Sequence, residues 1–301
     1  MAVATQPKPL RLPLPGGSDG ATVRVRPLRC GEVQIPPRAL NRPTGALAQL
    51  RGLGLTVPKS RWSWIPVPVF LVEHPTAGPL LIDTGFHASV QDGARTSLGR
   101  RQAWLLPARQ APGESAPEQL HALGIDPERI GTIVMTHLHN DHASGAIQFP
   151  DATFVVDAAE WRAASTGGFA DGYRQEHYDQ PFDWRTVDFD GPDASEHGAF
   201  ARSLDLFGDG SLRMLSTPGH TRGHQSILLR LEADRELLLT GDAAYTRRSI
   251  DEDLLPIFFA DLEQYARSLN AIREHVHSSP ATIVIPGHDA ELWPQLEPLY
   301  A

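Results

Sequence analysis

The chain has 301 residues, 41% hydrophobic and 21% charged, a balance that suits a packed core and excludes a disordered chain. Its net charge of −9, from 27 basic and 36 acidic side chains, has the wrong sign for gripping a nucleic-acid backbone, so no nucleic-acid partner is expected. No run of about 18 apolar residues offers a membrane span, and the lone Cys30 excludes an intrachain disulfide and points to a cytoplasmic address. Residues 1–20 are broken by prolines, lack the compact apolar stretch of an export signal, and read as an N-terminal arm that is mobile or draped. Residues 21–301 read as a single domain of short strands and helices. The strand-length apolar runs are Val67–Val72, Leu80–Ile82, Thr132–Met135, Thr153–Val156, Leu212–Leu215, Ile227–Leu231, Leu237–Leu239 and Thr282–Ile285. Between them, Ser115–Glu118 forms a capping-box pattern with Gly124 as a stop, and Asp157 opens a second helix. A third begins at Asp261, with Leu262, Ala266, Leu269, Ile272 and Val276 marking one face. The segment near 90–117, carrying Arg100, Arg101, Trp104, Leu105 and Leu106, reads as an insertion. Strands interspersed with helices define an α/β architecture.

The chemistry concentrates in Thr136-His137-Leu138-His139-Asn140-Asp141-His142, directly after the run Ile133–Met135. Alternate residues of an extended segment share a side, so His137 and His139 can address one point. Asp141 and His142 follow the turn and can address a second point nearby. Neutral imidazole and carboxylate are donors for Zn²⁺ and similar metals.

Three further runs end in a candidate donor: Leu215-Ser-Thr-Pro-Gly-His220, Leu237-Leu-Leu-Thr-Gly-Asp242 and Ile283-Val-Ile-Pro-Gly-His288. Any one of these alone would pass for turn chemistry, since Pro-Gly before a polar residue is common. Together with the histidine-rich segment they place donors beyond four strand ends, where sites in α/β sheets gather. The set His137, His139, Asp141, His142, His220, Asp242 and His288 suits two divalent metal ions sharing a carboxylate. Zn²⁺ is the first expectation, and Co, Mn and Fe suit the same donors.

The order His-x-His-x-Asp-His, Pro-Gly-His-Thr-x-Gly-His, Thr-Gly-Asp, Pro-Gly-His resembles the metallo-β-lactamase superfamily, and Asp83-Thr84-Gly85 matches its early Asp-Thr-Gly element. The resemblance runs from about Val67 to His288. It implies an αββα sandwich with the metals at the edge of the two sheets. By the family's pattern, His137, His139 and His220 hold one metal, Asp141, His142 and His288 the other, and Asp242 bridges. Asp83 and His224 would orient the ligands.

Asp242-Ala-Ala-Tyr245 is similar to the Asp-x-x-Tyr of N-acyl-homoserine lactone lactonases, enzymes that quench quorum sensing. It implies a phenol beside the substrate carbonyl, the alternative being a packing aromatic. Pro256-Ile-Phe-Phe-Ala260 resembles the lactonase substrate loop, so Phe258, Phe259 and Ala260 become candidate substrate contacts. The two phenylalanines read equally well as core. Phe86 and Trp104 are further candidates, within an aromatic and aliphatic set that includes Trp62, Trp64, Ile65, Leu105 and Leu106. The Trp104–Leu106 patch is also a candidate lid or homodimer contact. The implied reaction is attack of a metal-bridging hydroxide on a small-molecule lactone. Tyr245 would stabilise the oxyanion and Asp141 would carry the proton to the leaving alkoxide. A glyoxalase-II-like thioesterase is the main alternative, beside a broad lactonase, esterase or phosphodiesterase of the same superfamily. A non-catalytic metal-binding protein is a further one.

Overall fold

The apolar runs assemble into two stacked sheets. A computed structural model describes residues 3–42, 51–55 and 57–301. Among these, the first sheet contains β1 (Lys8–Pro9), β2 (Arg24–Ile35), β3 (Ser63–His74), β4 (Gly78–Ile82), β5 (Ala108–Arg109), β6 (Thr132–Val134), β7 (Thr153–Asp157) and β8 (Asp183–Val187). Their order is β1-β8-β7-β6-β4-β3-β2-β5, antiparallel from β4 through β3 to β2 and parallel from β4 through β6 and β7 to β8. The second sheet contains β9 (Ser195–His197), β10 (Phe200–Asp205), β11 (Leu212–Ser216), β12 (Gln225–Arg230), β13 (Glu236–Leu239) and β14 (Ile283–Ile285), in the order β14-β13-β12-β11-β10-β9. The helices among the described residues include α1 (Ala94–Leu105), α2 (Ala116–Ala122), α3 (Asn140–Ala143), α4 (Ala158–Thr166), α5 (Arg247–Glu252) and α6 (Leu262–Ser278). Among the described residues no helix is long and apolar enough to cross a membrane.

Side-chain alternation assigns the layers. Phe70 and Val72 of β3, Leu80 and Ile82 of β4, Val134 of β6 and Val155 of β7 point between the sheets. There they meet Leu212, Met214, Ile227, Leu229, Leu237 and Leu239 of the second sheet. The alternate residues Val69, Leu71, Leu81, Ile133 and Phe154 face outwards, under Ala116 and Leu120 of α2 and Trp161 and Ala164 of α4. On the other side Leu215, Leu228 and Leu238 lie under Ile250 of α5 and Tyr265, Leu269 and Ile272 of α6. The result is an αββα sandwich. Each large side chain so buried contributes about 1.5–3 kcal/mol.

Local sequence explains the element ends. Glu118 completes the capping box at Ser115, and Gly124 continues past α2 at φ +75. Asp157 accepts from the Ala159 and Glu160 N–H groups at the start of α4, and Asp261 accepts from those of Glu263 and Gln264 at the start of α6. The buried stripe of α6 is Tyr265, Ser268, Leu269, Ile272 and His275, rotated from the expected face so that Leu262 and Ala266 are only half-buried. The long strand β2 escapes a reading by apolar runs. Its arginines, Pro27 and Gly31 interrupt the hydrophobic pattern, and its pairing with β3 shifts register between Arg29 and Glu32. Residues 3–20 lie along the sandwich. Lys8–Pro9 pairs with β8, and Leu10, Leu12 and Leu14 pack against the inter-sheet cluster.

Candidate metal centre

The four donor-bearing segments leave the C-terminal ends of β6, β11, β13 and β14, and each reaches its donor within a few residues. The turn before His220 needs glycine. Gly219 has φ +135, and a Cβ there would lie 2.1 Å from the Tyr265 backbone nitrogen at the start of α6. The early aspartate supports the first segment from below. Asp83 Oδ1 accepts from Thr136 N–H at 2.7 Å, and Oδ2 accepts from the Thr136 hydroxyl at 2.7 Å. The same Oδ2 lies 2.8 Å from His142 Nδ1. A carboxylate there only accepts, so His142 keeps a proton on Nδ1 and turns Nε2 toward the site. His288 is oriented likewise, its Nδ1 donating to Pro66 O at 2.7 Å.

The donors converge in three overlapping groups, each within 4.8 Å: His137, His139 and His220; His137, His142 and Asp242; Asp141, His142 and His288. Asp242 stands between the halves. Its Oδ2 is 3.3 Å from His220 Nε2, while Oδ1 is 3.1 Å from His288 Nε2 and 3.4 Å from His142 Nε2. Asp141 Oδ2 lies 3.6 Å from His288 Nε2. His139 Nδ1 and His220 Nε2 are 2.9 Å apart. His137 Nε2, His142 Nε2 and Asp242 Oδ1 are buried without a partner of hydrogen-bond geometry. Buried polar atoms are normally paired. Three orphans aimed at one space fit the coordination shell of divalent cations.

The electrostatics divide between the two halves. Burial, reinforced by the neighbouring imidazoles, holds His137 well below the ordinary histidine range. Burial also holds His139 and His220 down, against the pull of nearby carboxylates. Neutral imidazole is the form that binds metal. Burial opposes charge on His142, yet Asp83, Asp141 and Asp242 together hold it well above its usual value. Burial would raise Asp242, but His288, His220 and His142 hold it well below the carboxylate range. His224 is pushed down to about 3 by burial, and its Nε2 accepts from Asp242 N–H at 2.9 Å. It thereby fixes the backbone beneath the central aspartate.

The cluster opens into a cleft of about 690 Å³. Tyr245 stands on its wall with the hydroxyl 3.2 Å from His220 Nδ1 and the ring stacked 5.6 Å from that of His288. Burial, followed by the charge of Asp242, holds the phenol well above its usual range, so it keeps its proton. Phe258, Phe259 and Ala260 line the same cleft, as do Ile65, Leu105 and Leu106. Phe86 does not reach it. That ring is 1% exposed and packs with Val33, Ile35, Val67 and Val90. Trp104 is 71% exposed and lies in a neighbouring groove of about 450 Å³ that shares Leu105 and Phe169 with the cleft. Trp62 and Trp64 are engaged elsewhere, beside Lys59 and Arg109.

Sequence reasoning missed two side chains that touch the site. Tyr173 packs its ring 5.1 Å from that of His139, and Glu160 accepts from Leu138 N–H between His137 and His139. Glu160 had a local signal, the Asp-x-x-Glu at the start of α4. That pattern reads first as helix capping, whereas the carboxylate turns to the backbone that carries the site's histidines. Tyr173 lies in a loop with no motif.

The chain belongs to the metallo-beta-lactamase superfamily, whose family model matches residues 62–288. It is similar to the N-acyl homoserine lactonase AttM of Agrobacterium fabrum (strain C58), with 36% identity over 76% of this chain and 84% of that protein. It is also 28% identical to an N-acyl homoserine lactonase of Bacillus sp., over 75% of this chain and 82% of the relative. The fold matches a crystal structure of a B. thuringiensis AiiA mutant with N-decanoyl-L-homoserine bound at its active site. The TM-score is 0.75 at 23% identity, over 93% of this chain and 100% of that one.

Proposed function

We propose that this protein is a metal-dependent hydrolase that opens the lactone ring of N-acyl homoserine lactones. One observation carries the reading: a seven-donor cluster with a buried tyrosine hydroxyl at its edge opens into a cleft lined in part by apolar side chains. The named lactonase relatives support it. In this reading His137, His139 and His220 would hold one divalent ion, Asp141, His142 and His288 would hold a second, and Asp242 would serve both. Zinc is the first choice for these donors. Bound there, two such ions supply Lewis acidity and a lowered water pKa at neutral pH.

The remaining steps fall to the chain itself. Tyr245 donates its hydroxyl hydrogen to the lactone carbonyl oxygen as that oxygen gains charge. Asp141, whose side chain is 23% exposed and so reaches the cleft, carries the proton of the added water to the ring oxygen as the ester C–O bond breaks. The product is the acyl-homoserine carboxylate. Phe258, Phe259, Leu105 and Leu106 exclude water and hold the acyl chain, and the groove under Trp104 and Phe169 receives a longer tail.

The test is acid release from acyl homoserine lactones of increasing chain length, before and after chelation. Chelation abolishes turnover and added divalent metal restores it. Burial is worth about 0.8 kcal/mol per methylene, so four extra methylenes seated in part raise kcat/KM about 10–100-fold. A glutathione thioester or a phosphodiester cleaved far faster than any lactone would overturn the lactonase reading and leave the metal centre standing.

A further inference from the structure

We propose that Glu160, in the first turn of α4, is a positioning residue that holds the three-histidine half of the site in shape. The inference rests on the metal-centre reading above. Glu160 has no exposed surface, and burying a carboxylate costs free energy unless strong donors meet it. Three do, from three separate segments. Oε1 accepts from Leu138 N–H at 2.9 Å and from the Tyr173 hydroxyl at 3.1 Å, and Oε2 accepts from Gly223 N–H at 3.2 Å. Neither oxygen is directed at the donor cluster, and Glu160 belongs to none of its groups.

Each donor leads to a histidine of one half. Leu138 lies between His137 and His139. Tyr173 packs on the His139 ring and pairs with His139 in an isolated backbone bridge. Gly223 belongs to the turn from His220 to His224, and it sits so close to α4 that a Cβ there would lie 2.1 Å from Glu160 N. One carboxylate therefore ties together the backbone that carries His137, His139 and His220. The other half does not touch Glu160: Asp83, which also holds Thr136 beside His137, orients His142, and Pro66 O orients His288. The structure thus assigns Glu160 an effect confined to one half.

Cobalt(II) binding tests this, read by visible absorption and by metal counting after dialysis. In an Asp141→Ala/His288→Ala background, which keeps the three-histidine set, Glu160→Ala weakens Co²⁺ binding about 10–100-fold, the range for partners that orient metal ligands. In a His139→Ala/His220→Ala background the same change leaves Co²⁺ affinity unaltered. Glu160→Gln keeps an acceptor for Leu138 and Tyr173 but sets its NH₂ against Gly223 N–H, so it recovers only part of the affinity. Should Glu160→Ala fail to fold, Tyr173→Phe carries the test. It keeps the ring on His139, removes one tie, and weakens only the three-histidine set by a few fold. Equal weakening in both backgrounds, or lower thermal stability with both affinities unchanged, overturns the positioning role. A parent chain that binds no cobalt overturns the metal-centre reading itself. A parent that binds two, with unaltered variants, overturns this inference alone.

Discussion

Asparagine in place of Asp83 alters the site through one atom while leaving the backbone alone. Asp83 has φ +61, a conformation asparagine also adopts, so Asp83→Asn adds little strain. The carboxylate accepts three hydrogen bonds, two from Thr136 at 2.7 Å each and one from His142 Nδ1 at 2.8 Å. An amide cannot serve all three. With its oxygen toward the Thr136 N–H, its NH₂ meets the His142 N–H donor to donor. Relief requires His142 to move its proton to Nε2, the atom 3.4 Å from Asp242 that faces the metal space. A hydrogen bond to a charged group is worth about 1.5–3 kcal/mol, which at 1.4 kcal/mol per factor of ten is roughly 10–150-fold in metal affinity. Competition against a chromogenic chelator measures this directly. We expect one of two ions to bind that much more weakly, and turnover to fall with occupancy and recover in excess metal. Two ions held at parental affinity would refute the argument, as would equal loss of both.

Two further changes probe other parts of the structure. Tyr245→Phe removes the hydroxyl beside His220 and should lower kcat about 100-fold, the usual loss for one donor to a developing oxyanion, with metal content unchanged; an unaltered kcat with only KM raised would contradict the assigned role. Burial pushes the Asp157 carboxyl up to about 7 from 3.8, although two backbone N–H groups pull the other way. The folded chain therefore holds this proton more tightly than the unfolded one. Stability falls as pH rises from about 4 to 7, by at most about 4 kcal/mol, and stays lowered above that. Asp157→Asn keeps the helix cap, so its melting temperature should exceed the parent's at pH 8 and approach it near pH 4, and an equal difference at both pH values would be evidence against a buried, hard-to-ionise carboxyl.

Several features were legible without coordinates because they are local. The runs before His137, His220, Asp242 and His288 announce strands through short blocks of Val, Ile and Leu, and each observed strand ends within a few residues of the expected place. Ser115, Asp157 and Asp261 announce helix starts because a side-chain acceptor next to free N–H groups is a contact over two or three residues. The strand β2 stayed hidden because its arginines and Pro27 break the apolar pattern, and only its pairing with β3 makes it a strand.

The kind of site was likewise decided by the one-dimensional sequence. Donor type and spacing within six residues, repeated at three later strand ends, define a metal chemistry before any distance is known. Which donors face each other was not in that spacing. Asp242 meets His220 on one oxygen and His142 and His288 on the other only because the two sheets bring four strand ends to a common edge. The substrate side depended on packing still more. Phe86 and Phe258 look alike in sequence, yet one is sealed beneath the cleft and the other lines it. Glu160 reads as a cap until Leu138, Tyr173 and Gly223, distant along the chain, close around its oxygens. Chemistry carried by a short segment survives in sequence, whereas burial and orientation depend on contacts between segments that only folding brings together.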